Sequence, residues 1–328
     1  MFKISQSPIK LNNITIRNRT VSSPVSINMA NTDGTVTKNI ISYFSNLAAN
    51  DLGMVTVGAT SVSEEGGDTC NGMHAGEKKH FNGLKKLCEG IKNNGAAATL
   101  QLFHVGAQGN TEYSKQRVVG PSKYIVPDIG IEAEILSIDE IKRIENDFIK
   151  AINQAYQAGY DFIELHLAHG YLLHEFFSPH TNKRKDEYGG SEENRFRIIK
   201  NILKPLDVKI KNKLAARLTG DDFTPEGLNI SKIKNLVKFL DENNFSYYTV
   251  TAGIYETAKQ KYIKMKKGSY WDYSAELKKI TKTPVIAQGN ITSIEEGEKI
   301  LSEKKGDLFG MCQALIADPE LVKKSFNK

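Results

Sequence analysis

The chain has 328 residues, 40% of them hydrophobic, and a formal net charge of +6 at pH 7. This length allows one large barrel domain of about 250 residues, and no apolar run approaches the roughly 20 residues that a membrane-spanning helix needs. The lysines are scattered rather than gathered on one basic helix, which argues against binding to nucleic acid.

Strand-like and helix-like segments alternate along the chain. The strand candidates are residues 19–26, 53–60, 96–103, 161–167, 213–219, 247–253, 283–290 and 306–313. The helix candidates are residues 36–50, 79–94, 138–158, 191–204, 229–243, 272–280, 293–304 and 318–326. This alternation predicts an α/β protein, a closed (β/α)8 TIM barrel formed as a single domain over residues 1–328. The alternative, an open doubly wound sheet, usually has a G-x-G-x-x-G after its first strand, and we find none here.

The fourth predicted strand and the residues after it contain the main candidate site. Residues 162–167 alternate as in a two-faced strand, and Gly170 then interrupts the chain beside His166, His169 and Tyr171. The two histidines could be metal ligands, general acids or hydrogen-bond donors, and a purely structural role is a fourth alternative. Metal is disfavoured because no H-E-x-x-H pattern is present, whereas two adjacent N–H groups suit an oxygen that gains negative charge. Tyr171 is either a proton donor, being neutral at pH 7, or a packing aromatic.

In a TIM barrel the carboxyl ends of all strands share one face, so the polar residues at those ends are candidate site residues. Outside the fourth strand they are Ser26, Thr60, Gln101, His104, Arg217, Asn290 and Gln313. Arg217 lies in an otherwise apolar strand, where a guanidinium needs a partner. That partner is either a bound electron-rich group or a carboxylate such as Glu164 or Asp221. Gly289 and Asn290 lie where barrels often bind phosphate through backbone N–H groups.

Three connections after strand ends are longer than the others, at residues 105–137, 171–190 and 254–271. Long loops on this face of a barrel can form lids or specificity elements. The segment 259–267 is strongly basic. It fits a lid that attracts a phosphorylated nicotinamide or an acidic substrate, although a solvated surface loop is the simpler interpretation.

The cysteines bear on cofactors and on location. Cys70, Cys88 and Cys312 form no C-x-x-C pair, so neither an iron–sulfur cluster nor a zinc ribbon is indicated. Free thiols, together with an N-terminal stretch that has no apolar signal region, predict a reducing, cytoplasmic location.

The stretch from His166 to Arg195 closely resembles the Old Yellow Enzyme family of flavin-dependent ene-reductases. The matching residues are His166, His169, Gly170, Tyr171, Ser178, Pro179, Asn182, Arg184, Asp186, Tyr188, Gly190, Glu193 and Arg195. Further matches extend over nearly the whole chain, at residues 18–19, 23–24, 33–34, 101–106, 121–122, 158–161 and 317–319. This pattern is long and specific, and the sequence is identified as a member of the family.

The resemblance implies a barrel with FMN across its mouth. The implied cofactor contacts are Pro24, Val25, Ser26, Ala59, Gln101, Arg217, Gly289, Asn290, Cys312 and Gln313. Arg217 matches the family's arginine beside the flavin edge that becomes anionic on reduction, which favours the ligand as its partner. The resemblance makes His166 and His169 the pair that binds the substrate carbonyl oxygen. It makes Tyr171 the proton donor and gives Asn28 a position beside the substrate.

The implied reaction is ping-pong: NADH or NADPH reduces FMN and leaves, and an α,β-unsaturated carbonyl compound then binds. Hydride passes from flavin N5 to Cβ, and Tyr171 supplies the proton to Cα. The implied partners are therefore a nicotinamide and a small activated alkene, with no nucleic acid or membrane. Two other functions stay open: a flavin-binding barrel with little turnover, and a different flavin-dependent oxidoreduction.

Three departures from the family pattern bear on function. Cys312 and Gln313 stand where most members have Gly-Arg, and glutamine brings no charge to the FMN phosphate. Asn28 stands where several relatives have an active-site tyrosine, and residues 104–108 lack the arginine that often follows His-x-Gly. Relatives often complete a neighbour's site with a C-terminal extension, so the geometry of any homo-oligomer does not follow from the resemblance.

Overall fold

The computed structural model describes residues 2–109, 117–127, 129–257 and 267–327. Eight parallel strands form its central barrel: Thr20–Ser22, Met54–Ser61, Ala97–Phe103, Phe162–Leu167, Leu214–Thr219, Tyr248–Thr251, Val285–Ala287 and Leu308–Met311. Each strand pairs with the next one along the chain, and the eighth pairs with the first, so the barrel is closed. The predicted (β/α)8 fold is confirmed.

Helices connect the strands and cover the outside of the barrel. The helices of seven or more residues are Lys38–Ala49, Phe81–Lys92, Ile138–Gln157, Arg197–Leu203, Lys234–Glu242, Ser269–Leu277 and Ile294–Ser302. Shorter ones are Lys78–His80, Gly106–Gln108, Leu172–Phe177, Glu192–Arg195, Val208–Lys211, Gln313–Ala317 and Leu321–Phe326. The apolar side chains between helices and barrel form the largest core cluster. No helix in the described part of the chain is long and apolar enough to cross a membrane.

Several elements end at places that the sequence pattern did not predict. The first strand ends at Ser22 rather than at residue 26, because Pro24 has no N–H to donate to a neighbouring strand. The seventh strand ends at Ala287, since Gly289 and Asn290 have φ angles of +105° and +50°, outside the β region. The helix predicted for residues 191–204 is two helices that meet at Phe196. These ends matter because two of them shape the mouth of the barrel.

An N-terminal hairpin closes the opposite end of the barrel. Strands Ile9–Leu11 and Ile14–Ile16 pair in antiparallel orientation. Leu11 and Ile16 pack against a buried cluster of residues from the barrel strands: Val21, Met54, Phe162, Ala215, Tyr247, Ile286 and Leu308. Because apolar side chains fill this end, the accessible site lies at the carboxyl face of the strands.

The long connection after the third strand has structure of its own beside that face. Its short strands Val119–Gly120 and Glu134–Ile135 pair with each other. A small apolar cluster of Ala107, Val118, Val126 and Ala133 holds this connection together. The connection after the fourth strand begins with the helix Leu172–Phe177, so both loops bring ordered backbone to the mouth.

Candidate active site

A cavity of about 560 Å³ opens at the carboxyl ends of the strands, within the usual range of roughly 300–1,000 Å³ for ligand pockets. The predicted site residues that line it are Pro24, His169, Arg217, Gly289, Asn290, Cys312 and Gln313. They come from the first, fourth, fifth, seventh and eighth strands or from the loops after them. The barrel therefore gathers residues that are far apart in the chain into one site, as the count of strands predicts.

Other predicted residues lie beside this cavity rather than on its wall. Ser26, Asn28 and Ala59 line a small neighbouring pocket, and the backbone of Val25 bridges to Gly58. Their roles as cofactor or substrate contacts stay predictions.

Gln101 lies inside the barrel and is buried. Its side-chain amide donates a hydrogen bond of 2.7 Å to the carboxylate of Glu164. Its predicted contact with the flavin stays a prediction, but one of its polar groups already has a protein partner.

The fourth strand and the turn after it bring His166, His169 and Tyr171 together. His166 is 3% exposed, and His169 follows in a left-handed backbone conformation with φ +63°. The two rings meet edge-on, and Nδ1 of His169 and Nε2 of His166 share a hydrogen bond of 3.2 Å. The Tyr171 ring packs edge-on against His166 and Phe103, with centroid distances of 4.8 and 5.1 Å. The rings of His166, His169 and Tyr171 therefore form one contiguous cluster at the mouth of the barrel.

Burial sets the protonation of this cluster. It lowers the pKa of His166 and the pKa of His169 well below the usual value, and the positive charge of Arg217 adds to the effect. Burial also raises the pKa of Tyr171 above its usual value. At neutral pH the cluster therefore consists of two neutral imidazoles and a protonated phenol. Such groups donate hydrogen bonds or protons and add no charge to the site.

Thr251, which sequence reasoning missed, is a partner of His169. Its hydroxyl lies 2.8 Å from Nε2 of His169. A hydroxyl can either donate to this nitrogen or accept from it, so His169 can carry its own proton on either ring nitrogen. When Thr251 donates, Nδ1 of His169 carries the proton and donates it to Nε2 of His166. A signal was available, because Thr251 is the polar last residue of the sixth strand.

Arg217 lies on the fifth strand, in register with His166 on the fourth. Its guanidinium lines the cavity, and its buried Nε has no hydrogen-bond partner among the described residues. Among the described residues Arg217 makes no direct ion pair with Glu164 or Asp221, but the charges of Arg217 and Glu164 act on each other. The Glu164 carboxylate accepts a hydrogen bond from Gln101. A half-buried cation with an unpartnered Nε is suited to an electron-rich ligand. We call the group His166, His169, Tyr171 and Arg217 the histidine end; His169 and Arg217 line the cavity, and the rings of His166 and Tyr171 pack beside His169.

The loops after the seventh and eighth strands form the other side, which we call the glycine end: Gly289, Asn290, Cys312 and Gln313. A Cβ on Gly289 would lie 2.6 Å from the side chain of Tyr270, so only glycine fits this turn. The backbone N–H groups of the four residues donate to no described acceptor. Burial raises the pKa of the Cys312 thiol, so no side chain at this end is charged at neutral pH.

The basic segment 259–267 falls almost entirely outside the described residues. Only Lys267 is described, and its ammonium group pairs with Glu296 at 2.5 Å. The lid and the solvated loop both stay predictions. Within the described ranges, no group of three or more His, Cys, Asp or Glu side chains could hold a metal ion.

A family model described as the NADH:flavin oxidoreductase / NADH oxidase family matches residues 6–327. The chain belongs to this family. FMN is the cofactor of the NADH:flavin oxidoreductase family, and the resemblance to Old Yellow Enzyme that the sequence motifs indicate is confirmed.

Two relatives are similar over almost all of this chain. An NADPH dehydrogenase from Bacillus cytotoxicus is 32% identical over 323 residues, which cover 98% of this chain and 92% of the relative. An NADH oxidase from Thermoanaerobacter brockii is 33% identical over 324 residues, which cover 96% of this chain and 50% of the relative. The chain thus spans about half the length of the second relative.

Solved structures contain the same barrel. A 2-naphthoyl-CoA reductase in complex with 2-naphthoyl-CoA matches with a TM-score of 0.91 and 26% identity, covering 100% of this chain and 52% of that one. An Old Yellow Enzyme homologue from Zymomonas mobilis matches with a TM-score of 0.84 and 23% identity, covering 98% of this chain and 92% of that one. The second likeness concerns the fold alone.

The described residues fit an FMN molecule. The unpartnered Nε of Arg217 suits the electron-rich edge of a flavin ring. At the glycine end, backbone N–H groups without protein acceptors suit a phosphate, which barrels often bind after the seventh and eighth strands. Gln313 can add a side-chain N–H there, although it cannot add a charge.

Proposed function

We propose that this chain uses NADH or NADPH to reduce the C=C bond of small α,β-unsaturated carbonyl compounds. The observation that supports this most strongly is the histidine end, where two neutral imidazoles hydrogen-bond each other beside a neutral phenol and a half-buried cation. The reaction balances as one NAD(P)H and one proton consumed for each C=C bond that becomes C–C. FMN, when bound, supplies the hydride chemistry that links the nicotinamide to the alkene.

In this proposal His166 and His169 bind the carbonyl oxygen of the substrate. An oxygen that gains negative charge is stabilised by two N–H groups, and a site that arranges those donors in advance avoids the cost of reorganising them. Nε2 of His166 and Nδ1 of His169 lie 3.2 Å apart and hydrogen-bond each other. In this proposal the carbonyl oxygen replaces that hydrogen bond, and each nitrogen donates to the oxygen. The hydroxyl of Thr251 lets His169 present the N–H that this role needs, by donating to its other nitrogen.

Tyr171 supplies the proton that the alkene carbon takes up. Its raised pKa keeps the phenol protonated throughout the neutral range, so it can act as a general acid at physiological pH. Packing against His166 and Phe103 fixes the ring edge-on in the mouth of the barrel. A fixed donor protonates one face of the substrate, which predicts a stereospecific product.

Arg217 stabilises the negative charge that reduction adds to the cofactor. Its guanidinium lines the cavity and its Nε is buried, which strengthens its electrostatic effect on a group bound beside it. Placing the cation on the barrel wall at the level of His166 puts it at the histidine end, where the chemistry is proposed to occur.

The names of similar proteins support the proposal. The relatives named NADPH dehydrogenase and NADH oxidase are both named for nicotinamide substrates. The 2-naphthoyl-CoA reductase is named for the reduction of a compound whose carbonyl is conjugated with unsaturated carbon. We also propose a cytoplasmic location, because all three cysteines are free thiols.

A flavin-binding barrel with little turnover is the second candidate. The uncharged glycine end favours it, because weak retention of FMN would leave much of the protein without cofactor. A different flavin-dependent oxidoreduction would keep the cofactor and change the electron acceptor. Both candidates predict no reduction of an activated alkene.

The test is an anaerobic assay of purified protein with added FMN, NADPH or NADH, and 2-cyclohexen-1-one. We expect nicotinamide oxidation that depends on the alkene and yields cyclohexanone in equal amount, as measured by gas chromatography. Cyclohexanone itself is the matched control, because it offers the same carbonyl oxygen but no C=C bond. Nicotinamide oxidation that proceeds equally without the alkene, or none at all, contradicts the proposal.

A further inference from the structure

The two ends of the cavity differ in charge. Among the described residues that line it, Arg217 is the only one with a permanently charged side chain. Arg217 lies within the fifth strand at the level of His166, which places its backbone at the histidine end. The glycine end presents backbone groups, one thiol and the amides of Asn290 and Gln313. The charge of Arg217 also acts on the Cys312 thiol, so a phosphate bound at the glycine end would meet dipoles there and a described cation only on the barrel wall.

Lys267 lies near the glycine end but adds no net positive charge to it. Its ammonium group lies 2.5 Å from the carboxylate of Glu296 and 3.0 Å from the hydroxyl of Thr292. The lysine is paired with a charge of opposite sign, so it brings no net positive charge. It is also 45% exposed, where water and salt screen what remains.

We propose that Gln313 sets the cofactor preference of this chain, and that the site accepts riboflavin as well as FMN. Riboflavin and FMN share the ring system and differ in the phosphate. Among the described residues, Arg217 would contact the ring while the phosphate would meet neutral donors, so the ring contributes most of the discrimination against other ligands. The phosphate then adds less than about a hundredfold to affinity, because the described residues of the glycine end offer it no charged hydrogen-bond partner, and such partners give the stronger hydrogen bonds.

Gln313 is well placed for a test of this proposal. Its side chain is exposed and lines the cavity, so a longer side chain can be accommodated without disturbing the core. It begins the short helix Gln313–Ala317, and its neighbour Leu315 carries the packing of that helix. Gln313→Arg therefore adds a bidentate cation at the glycine end while leaving the barrel unchanged.

The experiment is a titration of flavin-free protein with FMN and with riboflavin, followed by flavin fluorescence. We expect wild-type protein to bind the two flavins within about a hundredfold of each other. Gln313→Arg should tighten FMN by about tenfold or more and leave riboflavin unchanged, since one charge-assisted contact is gained by the phosphate alone. Gln313→Met, which has similar length but no amide, is the matched control and should not tighten FMN.

The salt dependence of FMN affinity shows whether the phosphate is bound by a charged side chain or by neutral hydrogen-bond donors. Between low salt and about 0.5 M NaCl, FMN affinity should change little for wild-type protein and fall for Gln313→Arg. The proposal is overturned if wild-type protein prefers FMN by more than about a hundredfold, if its FMN affinity falls steeply with salt, or if Gln313→Arg leaves the preference unchanged. It concerns cofactor binding, so failure of alkene reduction with intact flavin binding would count against the proposed function only.

Discussion

The histidine end and the glycine end of the cavity are built by different parts of the chain. At the histidine end, side chains make the site, and their rings contact one another at defined distances. At the glycine end, backbone N–H groups make the site, and the side chains are uncharged. A substitution leaves a backbone N–H group in place as long as the turn keeps its conformation, whereas it removes a functional side chain outright. We therefore expect substitutions to change the rate of reaction strongly at the histidine end, and cofactor affinity modestly at the glycine end.

The largest expected effect comes from Tyr171→Phe. This change keeps the ring that packs against Phe103 at 5.1 Å and removes only the hydroxyl group that carries the proton. Alkene reduction should slow by about 10²–10⁴-fold, the usual contribution of a general acid. Reduction of the cofactor by NADPH should be unaffected, because it needs no proton from this residue. Equal slowing of both half-reactions would mean that the phenol is structural.

Substitution of one oxygen-binding histidine should have the next largest effect. His166→Ala removes one of two donors, and the alkene step should slow by about 10²–10³-fold, or roughly 2.7–4 kcal/mol. His166→Gln keeps an N–H donor and should lose clearly less. The measurement is kcat with 2-cyclohexen-1-one for both variants at the same pH. Identical losses for Ala and Gln would contradict the hydrogen-bonding role.

Arg217 connects the histidine end to the cofactor, so its substitution is best measured as a potential. Arg217→Gln removes the only described charge of the cavity. Loss of one charge-assisted hydrogen bond, about 1.5–3 kcal/mol, should make the two-electron potential of bound FMN more negative by about 30–65 mV. Arg217→Lys keeps the charge and should shift the potential less. A potential that is the same in all three proteins would show that the guanidinium does not act on the cofactor.

The smallest effect is expected at Thr251, which acts through His169. Thr251→Val keeps the shape of the side chain and removes the hydroxyl 2.8 Å from Nε2. One neutral hydrogen bond contributes about 0.5–1.5 kcal/mol, so kcat/KM for the alkene should fall roughly two- to tenfold. Thr251→Ser restores the hydroxyl and should restore the rate. If the serine variant is as slow as the valine variant, packing rather than the hydroxyl explains the loss.

The barrel could be predicted from the sequence because the spacing of apolar residues shows which side chains face a core. This spacing and the alternation of strands and helices are local patterns. It also predicted which polar residues stand at strand ends, and the closed barrel brought His169, Arg217 and Gln313 to one cavity. Partners across the barrel were not predictable in this way. Thr251 and His169 are 82 positions apart, and no local pattern specifies their contact.

The partner of Arg217 is a second contact across the barrel that the sequence did not predict. Sequence reasoning left open an ion pair with Glu164, since both side chains point into the barrel. Among the described residues the two side chains interact through their charges without a direct ion-pair contact, and the Glu164 carboxylate accepts hydrogen bonds from Gln101 and Thr249. Which of several buried polar groups meet depends on register between strands, and single-sequence patterns do not contain register.

The most direct test of the central claim, that the histidine end reduces alkenes, is a single-turnover measurement in a stopped-flow spectrometer. Protein whose cofactor has been reduced by NADPH is mixed anaerobically with 2-cyclohexen-1-one, and the return of flavin absorbance is followed for wild type and Tyr171→Phe. We predict fast return in wild type and a return slowed by about 10²-fold or more in the variant. Return only on admission of oxygen, or at the same rate in both proteins, would contradict the claim.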